Sequence, residues 1–83
     1  MKLERNKSTY PTFPWWDTCA TQVGELLIRM AQISSEDMTK LHEKHADPDK
    51  AVMALPMYIS QNRAGTEVAV WPIPDADYEL VRI

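Results

Sequence analysis

The sequence predicts an α+β domain: a long N-terminal helix and two shorter helices packed on a small antiparallel sheet, made of a C-terminal hairpin and a last strand. Three observations carry that expectation. Apolar residues recur at helical spacing between positions 16 and 33. Two helix starts follow, Ser34-Ser35-Glu36-Asp37 and Asp47-Pro48-Asp49. Beyond Pro56 the pattern changes to β-prone runs separated by turn residues.

At 83 residues the chain is sized for a single domain, 1–83. A domain of this length buries only about 60–65 % of its unfolded surface, so its core is small. Three tryptophans and five methionines add large apolar volume to it. Residues 1–12 read as a flexible arm, in which Lys2, Arg5 and Lys7 outweigh Glu4. Pro11 and Pro14 hold the following stretch extended.

The first helix is expected to start between Pro14 and Asp17, with proline in its first turn and an acid at the positive end of the dipole. On it Trp16, Ala20, Val23, Leu27, Met30 and Ala31 form one stripe, which Cys19, Leu26 and Ile33 widen. Thr18, Thr21, Gln22, Glu25, Arg29 and Gln32 take the other side, and Ile28 lies out of pattern among them. Gly24 costs such a helix about 1 kcal/mol against alanine. The helix is expected to end near Ser34.

The second helix is capped by serine, carries acids in its first turn, and places Met38, Leu41, His42 and His45 on one face before stopping at Ala46. The third, over about 48–55, has Asp47 as its cap and Pro48 at its first position. Two strands follow, 57–61 and 66–71, joined through Asn62-Arg63-Ala64-Gly65. Pro72-Ile73-Pro74 forms an extended link. Residues 78–83 form the last strand.

Composition narrows the function classes. The net charge of −3 disfavours non-specific binding to nucleic acid, which depends on Lys and Arg. No apolar run follows the basic N-terminal residues as in a signal peptide, and no stretch approaches the roughly 18–20 apolar residues of a membrane span. A cytoplasmic protein is expected, and the single cysteine fits a reducing compartment.

No catalytic motif stands out, and no enzyme or cofactor is expected. His42 and His45 share a helix face but are one residue short of the H-E-x-x-H spacing, and two ligands are too few for a tight metal site. They read better as the flank of Met38 and Leu41. Cys19 lies on the apolar stripe and reads as a small buried hydrophobe rather than a nucleophile.

Binding is the stronger expectation. Trp15 and Trp16 stand side by side, with Trp16 in the stripe and Trp15 at its margin; either both plug the end of the small core, the favoured reading, or Trp15 stays partly exposed and anchors a partner. Trp71, before Pro72, invites the same reading. Asp75, Asp77 and Glu79 offer an acidic patch for a basic partner, and Arg63 sits at the hairpin tip. The chain therefore reads as a small protein-binding module. Its size and character are common among phage and mobile-element proteins, which points to an inhibitor of a host defence or transcription complex. A homodimer would complete a marginal core. The alternative is a winged-helix-like DNA-binding regulator, since helix, helix, helix, hairpin is that fold's order. Its third helix, however, offers only Asp49 and Lys50 as polar residues.

Overall fold

The computed structural model describes residues 1–44 and 53–83. The expected long helix is absent. In chain order the elements are β1 (Lys2–Leu3), β2 (Thr9–Pro11), β3 (Cys19–Val23), β4 (Leu26–Arg29), β5 (Ala31–Gln32), α1 (Ser35–Lys44), β6 (Met53–Ala54), β7 (Tyr58–Gln61), β8 (Glu67–Trp71), β9 (Ile73–Pro74) and β10 (Tyr78–Arg82). The α+β expectation of three helices on a sheet is thus corrected to a mainly β molecule, with a single helix among the described residues.

The segment read as a helix folds as turns and a hairpin. Trp16 N–H donates to the Phe13 carbonyl and Thr18 N–H to that of Trp15, two successive turns rather than a helical ladder. Val23 then pairs with Leu26 across Gly24-Glu25. Gly24 has φ of 60°, the sign needed at the first central position of a two-residue II′ loop, where glycine alone fits easily. The glycine that weakened the helix is the residue that makes the hairpin. β-Branched Thr21, Val23 and Ile28 favour the pleated form. The apolar residues of this segment also recur at helical spacing, with polar residues between them, which is why they could pass for a helix face.

Two four-stranded sheets share one core, in the orders β1-β10-β3-β4 and β2-β8-β7-β5. In the first, Leu80 pairs with Thr21 and Thr21 with Ile28, so these three lie on one face with Leu3 and Tyr78. In the second, Tyr10 pairs with Val68 and Val70 with Ile59. Leu3, Tyr10, Cys19, Met30, Ile59, Val68, Val70 and Leu80 form the common cluster. The chain crosses between sheets at Met30, which lies between β4 and β5 with its side chain in that cluster. A short parallel pair, β6 and β9, is separate.

Residues 1–12 contribute β1 and β2, and bury Leu3 and Tyr10. The Tyr10 hydroxyl donates to the Lys7 carbonyl and accepts from Glu4 N–H, tying the loop between these strands. Helix α1 lies where the serine cap and first-turn acids predict it, and Ser34 Oγ accepts from Asp37 N–H at 3.1 Å. Its Met38 is buried, and the helix contacts β7 and β8. The hairpin strands are β7 and β8, with Gly65 at φ 70° in the connection. The last strand does not extend that hairpin. β10 lies in the other sheet, between β1 and β3. The expected third helix falls mostly outside the described residues; of its described residues, Met53 and Ala54 form β6.

Candidate functional site

The β3–β4 hairpin ends in a strand that has no partner among the described strands on its outer side. The reason it remains open is visible in its hydrogen-bond parity. Met30 N–H donates to the Cys19 carbonyl at 3.1 Å, on the β3 side. Antiparallel ladders alternate, so Leu26 and Ile28 also face β3, while the backbone groups of Leu27 and Arg29 point outward. Edges of this kind are normally protected by Lys, Pro or a bulge. Here the strand reads Leu26-Leu27-Ile28-Arg29, and its leucines are 68 % and 57 % exposed. Val23, across from Leu26, is exposed as well.

The two faces of this strand differ. Leu26 and Ile28 follow Val23 and Thr21 on the core-facing side. Leu27 and Arg29 follow Gln22 and Ala20 on the other. Glu25, in the turn, and Arg29, at the far end of the strand, are exposed and form no ion pair with a described residue. Beside the strand's end, an open hollow of about 480 Å³ is lined by Asp17, Arg29, Met30, Ala31 and Gln32.

The residues singled out in the sequence are dispersed. Trp71 is only 6 % exposed and packs edge-on against the His42 ring, centroids 4.9 Å apart, where α1 meets β8. Trp15 is half-buried, packs on Phe13 with ring centroids 4.4 Å apart, and borders the core beside Trp16. Arg63 is exposed at the β7–β8 tip and bonds to Glu36 of α1.

The acids of the C-terminal segment meet the N-terminal one. Asp77 accepts from Arg5 N–H at 2.9 Å and lies 3.4 Å from Lys2 Nζ. The Arg5 hydrogen bond, helped by Lys2, holds its pKa below the usual carboxylate value. Glu79 lies 3.5 Å from the Met1 ammonium. Asp75 accepts from the Tyr78 hydroxyl, which raises the Tyr78 pKa. These acids face their own cations and donors, so they do not form one unpaired acidic surface.

Cys19 is buried, and its thiol donates to the Trp16 carbonyl. Burial, reinforced by the Asp17 charge, pushes its pKa up to about 11. A neutral buried thiol is a poor nucleophile at neutral pH. Among the described residues no group of three or more His, Cys, Asp or Glu is arranged to hold a metal ion. His45, weighed with His42 as a metal ligand, lies outside those residues. No described helix is long and apolar enough to cross a membrane.

The site that stands out, Glu25 to Arg29, escapes a helical reading of the sequence. Its signal is a Gly-containing two-residue loop between runs rich in β-formers. Compared with family models, curated proteins and solved structures, the chain matches none.

Proposed function

We propose that this chain is a small, non-catalytic protein-binding module that engages its partner along β4 and the apolar tip of the β3–β4 hairpin. The observation that carries the reading is the pair of exposed leucines on an edge strand with outward-pointing backbone groups. Such an edge accepts an added strand, with main-chain hydrogen bonds supplying affinity and the flanking side chains specificity. Partner binding also supplies what a small core lacks, an apolar cover for Leu26 and Leu27. Action as an inhibitor of a host complex is the narrower form of this reading, and it rests on chain size and acidic balance alone. The winged-helix alternative loses its main support, because the helical order on which it was drawn is not the order of elements found.

The test is affinity capture from host lysate, with and without nuclease, using the wild type and Leu27→Lys. Leu27 is exposed, so the substitution is expected to leave the melting temperature nearly unchanged. A defined protein retained after nuclease and lost with the variant is the expected result. Retention that vanishes with nuclease, or a partner that Leu27→Lys still holds, overturns the reading.

A further inference from the structure

We infer that β4 pairs with β4 of a second copy of this chain, antiparallel and centred on Leu27. The inference rests on the reading of β4 as a binding edge and names its occupant. Two independent properties of the strand select this register.

The first is hydrogen-bond parity. Leu27 and Arg29 carry the outward-pointing backbone groups. A two-fold axis through Leu27 sets Leu27 N–H and C=O against the same groups of the other copy, giving two main-chain hydrogen bonds at the axis. A register shifted by one residue would face outward-pointing groups with inward-pointing ones and lose them.

The second is charge. In that register position 25 of one copy lies opposite position 29 of the other. Glu25 and Arg29 are both exposed and form no ion pair with a described residue. Pairing brings each Glu25 to the other copy's Arg29, twice, on the face that carries the Leu27 pair. On the opposite face Leu26 meets Ile28, also twice. The run Glu25-Leu26-Leu27-Ile28-Arg29 is thus complementary to its own reverse. An axis through Ile28 also satisfies parity, but it sets Arg29 against Leu27 and leaves Glu25 without a partner.

The size of the contact sets its strength. A standard stable interface takes about 800 Å² from each partner, and this chain exposes 5318 Å² in all. Four strand residues and a turn cover less than that share, so the pair forms and dissociates with concentration. Sedimentation is expected to give a dimer at about 1 mM and a monomer at about 1 µM.

The register is tested by charge swapping. Glu25→Arg puts like charges in both flanking pairs, and so does Arg29→Glu, so each variant alone is expected to be monomeric at about 1 mM. An equimolar mixture of the two restores opposite charges in every pair and is expected to dimerise. A wild type that stays monomeric at about 1 mM overturns self-pairing. A dimer that persists in both single variants overturns the register. Neither result touches the capture experiment: a monomeric wild type that still loses a lysate partner on Leu27→Lys keeps the binding edge and rejects the second copy as its occupant.

Discussion

Cys19 and Thr21 are neighbours on β3 and both point into the core, where their chemistry can be tested directly. Cys19 titrates near 9.0 when free and near 11 in the folded chain, because burial disfavours the thiolate. Between these values the unfolded chain has lost a proton that the native chain keeps. Its contribution to stability is therefore full below pH 9 and falls as the pH rises to about 11. Urea unfolding from pH 8 to 11 is expected to show a steeper alkaline loss in the wild type than in Cys19→Ala; parallel curves would refute the burial account. Thr21 Oγ1 is buried without a hydrogen-bond partner, between Leu80 and Ile28. Replacing the hydroxyl by a methyl in Thr21→Val is expected to raise stability by about 1 kcal/mol, read from the urea midpoint. A lower midpoint would mean that the hydroxyl is satisfied. At this scale the burial of Cys19 was legible, though from a helical stripe that does not form, since Val23 and Leu26 beside it on that stripe are exposed. Burial was not legible for Trp71, because a tryptophan before a proline looks the same whether it closes a core or faces solvent.

Among the elements, α1 and the β7–β8 hairpin were readable because their signals are local: a serine cap with acids behind it, and a polar connection with a glycine that takes positive φ. The segment from 14 to 33 was not, because both periods fit it and the choice is made by tertiary partners. β3 gains β10 on one side and β4 on the other, a gain no window of neighbouring residues displays. Gly24 separates the two conformations by the sign of one measurement. In a helix Gly24→Ala would stabilise by about 1 kcal/mol. In the turn, φ is 60° and a methyl group would meet no atom within 4 Å, so only backbone strain remains. Gly24→Ala is therefore expected to destabilise by about 1–2 kcal/mol. An increase in the urea midpoint would return the segment to a helix. The link between β1 and the β9–β10 connection rests on Asp77. Asp77→Asn removes its charge from Lys2 and weakens the acceptor for Arg5 N–H, so faster hydrogen exchange at the Arg5 amide is expected, with the β8 amides unchanged.

The whole molecule owes its form to contacts between distant parts of the chain. Strands that pair are mostly far apart in sequence, as β1 and β10 or β2 and β8 are, which is why local patterning could locate individual strands without assigning them to sheets. The two-sheet arrangement needs a crossing at Met30 and a β10 that leaves its sequence neighbours for β1 and β3. Neither leaves a local mark. Far-UV circular dichroism is expected to show a β-dominated spectrum; a strongly helical one would contradict the fold. The pairing of β1 with β10 also has a consequence in time. Leu3 is buried against a strand made some seventy-five residues later. On the ribosome, β1 must wait for β10 before its sheet can close. Until then the nascent chain holds an unpaired β1, an open β3 and the exposed leucines of β4 together. The molecule is most exposed to wrong pairing until β10 is made, and slowing translation through the codons for Tyr78–Arg82 would lengthen that interval.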